Sequence, residues 1–150
     1  MLLDKVKKAL APLKLEAVAD GDYSKTGYHL EVAGAPEQMP ALAQALLGEG
    51  CFLESLTALD YPEHFTLVYH YASFTGLCRT VVKANLPKGQ EDLPPTISSV
   101  YPGANWYERE VFDLFGIRFA GHPNMKRLLL PEDWDIHPLL KTFGAPEGDA

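Results

Sequence analysis

The sequence predicts a single α+β domain, with a mostly antiparallel or mixed sheet packed with helices, followed by an extended C-terminal tail. Two segments, 2–13 and 40–48, carry apolar residues at helical spacing. Three stretches, 51–59, 64–71 and 78–86, alternate apolar and polar residues and are separated only by short turns. Because strands joined by short turns pair antiparallel, we expect these three stretches to form a meander.

The N-terminal third supplies the two helices and two further strand candidates. The first helix is amphipathic and ends near Pro12, because proline interrupts helical hydrogen bonding. Strand candidates follow at 15–19 and 28–32, the second with the clearer alternation. The second helix opens at Pro40 and stops at Gly48, which are favoured residues for these positions.

The C-terminal part has one strong helix among many turn residues. After a polar, proline-bearing loop at 87–95, a short helix is expected at 96–101 and a firm one at 106–115. Beyond it, prolines and weak periodicity predict an extended chain. We therefore divide the protein into an α+β domain, 1–120, and an extended tail, 121–150.

Composition argues against several classes of function. The formal net charge of -7 disfavours nucleic acid as a partner, because phosphate binding needs a basic face. No signal peptide is expected, because residues 1–5 do not begin a long apolar core, and the sequence contains no membrane-length apolar run and no glycine-rich phosphate loop. Cys51 and Cys78 do not form a CxxC pair and are predicted to be buried, reduced thiols.

The helix at 106–115 carries the densest set of functional candidates. Asn105 and Glu108 have the spacing of a capping box, and Gly116 fits the position after the helix end. Arg109 can reach Asp113 one turn later. Since the helix is apolar nearly all round, it is predicted either to be a core helix with an internal ion pair or to be clamped between its domain and a partner.

Two His-Pro pairs follow this helix. His122 and His137 are expected to be turn residues that bond to backbone carbonyls. A metal site built from these histidines and Asp135, in a stand-alone enzyme, is the remote alternative.

From residue 108 onward the residues form a long pattern with fixed spacings, beginning with Glu108-Arg109-Glu110 and Asp113-Leu114-Phe115. This pattern resembles the 30 kDa subunit of respiratory NADH dehydrogenase, the enzyme also called complex I. Over the first hundred residues the chain is similar to that family mainly in layout, although residues 57–61 and 93–104 also resemble it. The other matching positions are Gly116-Ile117, Phe119, Gly121-His122-Pro123, Lys126, Leu128 to Asp133, His137-Pro138-Leu139 and Lys141.

The resemblance implies a non-catalytic structural or assembly subunit in the peripheral arm of a proton-translocating NADH–quinone oxidoreductase. It would brace the large quinone-site subunit, near cluster-bearing subunits, on the cytoplasmic side of the inner membrane. The resemblance implies no catalytic centre and no cofactor on this chain, since partner subunits carry the FMN and iron–sulfur clusters. The expected signature and interface residues are Glu108, Arg109, Glu110, Asp113, His122, Lys126, Arg127, Trp134, His137 and Lys141.

The tail departs from the family pattern at the second His-Pro pair. The family usually has Gly before this pair and Leu-Arg-Lys-Asp-Tyr after it, whereas here Ile136 precedes it and residues 139–143 read LLKTF. Similar subunits occur in membrane-bound hydrogenases, in dehydrogenases of the deazaflavin cofactor F420 and in ferredoxin-fed complexes, and these are the alternative. Trp134, Leu139 and Phe143 are the expected apolar anchors on a partner.

Overall fold

A five-stranded mixed sheet forms the centre of the protein. The structure is a computed structural model and describes residues 1–89 and 93–142. The strand order is β1-β2-β5-β4-β3. As predicted, β3, β4 and β5 form an antiparallel meander, while β2 lies parallel to β5. The strands are β1 (Ala17–Asp20), β2 (Leu30–Gly34), β3 (Cys51–Asp60), β4 (His64–Ser73) and β5 (Thr80–Pro87).

Four α-helices accompany the sheet in the described residues: α1 (Leu2–Leu10), α2 (Tyr23–Thr26), α3 (Met39–Gly48) and α4 (Ala104–Phe115). At the predicted end of the first helix, the chain tightens into a 3₁₀ turn that contains Pro12. Helix α2 was not predicted, because a single helical turn leaves no periodic pattern in the sequence. Its ends nevertheless use standard caps, since Asp22 accepts from the Ser24 N–H and Gly27 adopts a left-handed conformation.

The core lies between one face of the sheet and the helices. Tyr69 and Tyr71 of β4 are fully buried there, together with apolar residues of α1 and α3. Cys51 and Cys78 are free and buried, as predicted. Burial raises the pKa of the Cys51 thiol to about 11, which keeps the thiol in its unreactive protonated form at neutral pH. On the β3 side of the sheet, α4 packs against the edge strand.

The prediction of a short helix at 96–101 is wrong, since the segment contains only a turn. The Thr96 N–H donates to the Ala120 carbonyl at 2.9 Å, in an isolated bridge between Pro95 and Ala120. Only a turn follows, in which the Tyr101 N–H donates to the Ile97 carbonyl. Because the Thr96 N–H bonds to the Ala120 carbonyl, the segment just before the tail is held against the segment before α4.

Residues 121–142 contain neither helix nor strand, and they fold back against α4. The division at residue 120 stays a prediction. The anchor predicted at Phe143 lies outside the described residues. No helix in the described part of the chain has both the length and the apolar character needed to cross a membrane.

Candidate functional site

The start of α4 differs from the predicted capping box. The helix begins at Ala104, with Gly103 as its N-cap, so Asn105 lies inside the helix. The N–H groups of Ala104, Asn105 and Trp106 donate to carbonyls of residues 101–103, so the preceding turn supplies their acceptors. A side-chain cap is therefore not needed, and Asn105 Oδ1 is buried without a hydrogen-bond partner in the described residues.

Glu108 bonds outside its helix instead. Its carboxyl accepts from the Thr96 hydroxyl and, at 3.0 Å, from the Ile97 N–H. The side chain is 0% exposed. Burial raises the pKa of Glu108 to about 7, although these two hydrogen bonds act in the opposite direction. Glu108 therefore fixes the 96–101 turn against α4 with a carboxyl that titrates near neutral pH.

His122 lies beside this carboxyl without forming an ion pair. Its Nδ1 accepts from the Asn124 N–H at 2.9 Å, so Nε2 carries the proton and donates to the Asn105 carbonyl at 3.1 Å. The distance from Nε2 to Glu108 Oε1 is 3.9 Å, too long for a hydrogen bond. The predicted role of His122 as a turn residue bonded to a backbone carbonyl is confirmed.

A single buried carboxylate organises the first part of the tail. Asp113 Oδ2 accepts from three consecutive N–H groups, those of Leu128, Leu129 and Leu130, at 3.3, 2.7 and 3.0 Å. Asp113 Oδ1 accepts from Arg127 Nη1 at 3.0 Å. Burial opposes ionisation of this carboxyl, but the four donors outweigh it and hold the pKa of Asp113 below its ordinary value.

Arg127 connects the same carboxylate to the next part of the tail. Its guanidinium is buried, donates to the Asp113 carbonyl at 2.8 Å and to the Trp134 carbonyl at 2.6 Å, and lies against the Phe112 ring. His137 Nδ1 lies 3.1 Å from the Asp113 carbonyl, again the predicted bond to the backbone. The tail is therefore held by a network centred on one residue of α4.

The predicted pair between Arg109 and Asp113 is wrong. The Arg109 guanidinium donates to the Lys126 carbonyl at 3.1 Å and to the Arg127 carbonyl at 2.8 Å. The predicted internal ion pair of the helix therefore does not form, and Asp113 pairs instead with Arg127 of the tail. The two arginines have different roles. Arg109 donates to the tail backbone, and Arg127 neutralises Asp113.

The network leaves an apolar and acidic segment facing outward, which we call the 128–140 loop. Leu129, Trp134 and Leu139 are 63%, 46% and 52% exposed. The loop contains no Lys or Arg, and its three carboxylates are exposed: Glu132, Asp133 and Asp135. An exposed apolar cluster on a fixed backbone, bordered by one sign of charge, is typical of a protein-binding surface.

The structure brings together most, but not all, of the predicted residues. Glu108 and His122 lie at the start of α4, whereas Arg109, Asp113, Lys126, Arg127, Trp134 and His137 join in the tail network. Glu110 is half-buried and makes no ion pair with a described residue. The Lys141 side chain is exposed, with its ammonium over the Tyr61 ring, and its N–H is held by Asp60.

One residue of the site was missed. Asp60 Oδ2 accepts from the Lys141 N–H at 2.9 Å. Its position carries a signal, because Asp60 follows Leu56 and Ala58 on the core-facing side of β3, where an acidic residue needs a partner.

Gly116 is required where α4 meets the tail. It has φ of 81°, and a Cβ there would lie 2.9 Å from His137 Cδ2. We expect Gly116→Ala to lower the free energy of unfolding by about 2–4 kcal/mol, from left-handed strain and displacement of His137. Urea denaturation measures this change.

Two glycines serve as controls for this substitution. Gly27 has the same φ of 81° but open space where an added Cβ would lie, so Gly27→Ala measures the backbone strain alone. Gly103 has φ of -64° and open space, so Gly103→Ala is expected to be nearly neutral. Equal losses at Gly116 and Gly27 would show that contact with His137 costs nothing.

A metal centre is not formed by the side chains that the structure describes. No group of three His, Cys, Asp or Glu residues within residues 1–89 and 93–142 lies close enough to hold an ion. The remote alternative built on His122, His137 and Asp135 therefore gains no support from the geometry. Both ring nitrogens of His122 are already engaged by the backbone.

Comparison with known proteins decides the family. The family described as "Respiratory-chain NADH dehydrogenase, 30 Kd subunit" matches residues 32–148, more than half of the chain. The chain belongs to this family. The match includes α4, the tail network and the 128–140 loop, and it confirms the family inferred from the motif.

Relatives of the 30 kDa subunit family are similar at moderate identity. The corresponding NADH-quinone oxidoreductase subunit of Jannaschia sp. (strain CCS1) is 38% identical over 148 residues, covering 94% of this chain and 70% of that relative. The corresponding subunits of Roseiflexus sp. (strain RS-1) and Moorella thermoacetica are 45% and 46% identical over 64% and 61% of this chain. This chain spans only 58% and 63% of those two relatives.

A solved structure has the same fold. A chain of the membrane-bound sulfane sulfur reductase, an archaeal respiratory membrane complex, aligns with a TM-score of 0.80 at 24% identity. The alignment covers 93% of this chain and 84% of that chain. At this identity the likeness concerns the fold of the 30 kDa subunit, not its partners.

Proposed function

We propose that this chain is a structural subunit of the peripheral arm of a proton-translocating NADH–quinone oxidoreductase, and that it braces the quinone-site subunit. The observation that carries the proposal is the 128–140 loop, an apolar and acidic surface fixed by the Asp113 and Arg127 network. A surface whose backbone is already ordered loses little conformational entropy on binding. Membership of the 30 kDa subunit family supports the choice of complex.

The loop defines the chemistry of its partner surface. Trp134 and Leu139 would enter apolar depressions, as large side chains near the centre of an interface commonly do. Glu132, Asp133 and Asp135 would face Lys or Arg residues at the rim. The quinone-site subunit is therefore expected to present an apolar groove with a basic border to this loop.

The proposed role includes no redox centre on this chain. FMN and the iron–sulfur clusters would belong to partner subunits, and the subunit would reach the cytoplasmic face of the inner membrane only through the complex. The buried carboxyls of α4 have a structural use, since they bind the turn before the helix and the tail after it. Metal and flavin analysis of the purified chain tests this part of the proposal.

Replacing Glu132, Asp133 and Asp135 together by lysine tests the surface directly. We expect recovery of the quinone-site subunit with the tagged chain, from mildly solubilised membranes, to fall about tenfold or more, because like charges at a rim repel. The measurement is quantitative mass spectrometry of the co-purified subunits. Thermal unfolding of the purified variant checks that the fold is intact.

A matched control carries the same change in charge elsewhere. Glu16, Glu37 and Glu63 are exposed outside the loop, and their replacement by lysine is expected to leave recovery unchanged. Equal losses in both triple variants would mean that net charge, not the loop, governs recovery.

The co-purified subunits also separate the proposed complex from its alternatives. Flavin and NADH modules beside the quinone-site subunit would support the proposal. A nickel-site subunit would instead indicate a membrane-bound hydrogenase, and other electron-input subunits would indicate the deazaflavin-fed or ferredoxin-fed complexes.

A further inference from the structure

We propose that Asp60 is a positioning residue that closes the far end of the 128–140 loop and so fixes the surface the loop presents to its partner. Asp60 is the last residue of β3, far in sequence from the tail, and it was not among the residues that the motif singled out. The proposal deepens the proposed function, because it concerns how the same docking surface is held in shape.

Asp60 acts as a clamp, by which we mean that its two carboxylate oxygens hold two different segments of the chain. Its carboxylate is buried, and Oδ1 accepts from Nζ of Lys88, the residue directly after β5. Oδ2 accepts from the Lys141 N–H at 2.9 Å, across 81 positions of sequence. The Lys141 ammonium also lies 5.9 Å from the centre of the Tyr61 ring, next to Asp60 in the chain.

The 128–140 loop is consequently held at both ends. Asp113 accepts the N–H groups of Leu128, Leu129 and Leu130 at its start. The Leu139 N–H donates to the Leu114 carbonyl at 2.9 Å, and Asp60 takes the N–H of Lys141 just beyond.

Holding both ends of the loop limits the conformations of the exposed residues between them. A loop fixed at one end samples many more conformations than a loop fixed at both. Trp134 and Ile136, which are exposed between the two clamps, thereby keep a defined spacing. Loss of the second clamp would leave the first in place but would loosen the surface, at a cost in affinity rather than in fold.

Asp60→Ala is the decisive variant. It removes both acceptor oxygens, whereas the amide oxygen of an asparagine could still accept from the Lys141 N–H. In hydrogen–deuterium exchange of the full chain, we expect protection of residues 139–141 to fall about tenfold to hundredfold. Protection of residues 128–130 is expected to stay near that of the wild type, since Asp113 is untouched.

Lys88→Met separates the two contacts of the clamp. This change removes the ammonium but keeps Oδ2 available to Lys141, so protection at residues 139–141 is expected to fall less than in Asp60→Ala, although the carboxylate loses its cation. Equal loosening by Lys88→Met and Asp60→Ala would overturn the proposal, because the tail would then depend on the ion pair and not on the amide contact. Asp4→Ala, which removes an exposed carboxylate of α1, is the matched control.

Binding separates a positioning role from a purely local one. Asp60→Ala is expected to reduce recovery of the quinone-site subunit about tenfold from a chain that is still folded at the temperature of the pull-down, and Asp60→Glu to restore part of it. Local loosening with full recovery would overturn the positioning role. Failure of the wild type to recover that subunit would instead overturn the proposed function, while the exchange data would still decide the clamp.

Discussion

Asp113→Ala is expected to destabilise the protein by about 3–5 kcal/mol, the cost of breaking a buried ion pair from one side. The change leaves the Arg127 guanidinium without its anion and removes the acceptor of three N–H groups. Since domains are commonly stable by only about 5–15 kcal/mol, the loss is a large share of the total. Urea denaturation measures it, and hydrogen–deuterium exchange should show lost protection at residues 128–130.

Two further variants locate the source of that loss. Asp133→Ala removes an exposed carboxylate of the same loop and is expected to change stability by less than about 0.5 kcal/mol. Arg127→Met keeps the three N–H contacts to Asp113, so residues 128–130 should stay more protected than in Asp113→Ala. A near-neutral Asp113→Ala would show that the tail network contributes little to the fold.

The same carboxylate predicts a response to acid. Because the pKa of Asp113 lies below its ordinary value of 3.8, its stabilisation is present above pH 3.8 and is lost as the pH falls through the lower folded value.

As the pH rises, the Glu108→Gln variant is expected to become more stable than the wild type. The pKa of Glu108 is about 7 in the fold and 4.5 ordinarily, so between these values the folded protein binds a proton that the unfolded chain releases. Wild-type stability therefore falls with pH through this window, by up to about 3 kcal/mol in total. Glutamine carries no charge, and its amide can donate to Thr96 Oγ1 while accepting from the Ile97 N–H.

The measurement is the difference in unfolding free energy between variant and wild type, from urea denaturation at several pH values from about 3.5 to 8, which bracket the two pKa values. Taking this difference cancels the other titrating groups. Glu63→Gln, at an exposed position, is the control and should give a difference independent of pH. A constant difference for Glu108→Gln would mean that folding leaves the pKa of Glu108 at its ordinary value.

The fold was largely predictable because its signals are local. The alternation from Phe65 to Tyr71 has a period of two residues, which is typical of a strand, and Leu67, Tyr69 and Tyr71 lie in the core. Gly116 marked the end of α4 correctly, since its left-handed conformation belongs to the helix end itself.

Predictions failed where a residue had a choice of partners. Asn105 and Glu108 match a capping box, yet the preceding turn supplies the helix acceptors and Glu108 bonds to Thr96 and Ile97. Arg109 matches a pair with Asp113, but Arg127 of the tail takes its place. Spacing shows which contacts are possible within a helix, whereas a contact from a distant segment competes without leaving a local pattern.

By itself, the sequence determined the α+β class, the antiparallel meander, the helix at the centre of the site and the family. Each depends on periodicity or on fixed spacing along the chain. Only the tertiary structure decided how the tail is held. Asp113 collects N–H groups 15 to 17 residues away, and Asp60 holds one 81 residues away. Buried carboxylates take whichever donors the fold brings to them, because leaving such a charge unpaired costs several kcal/mol.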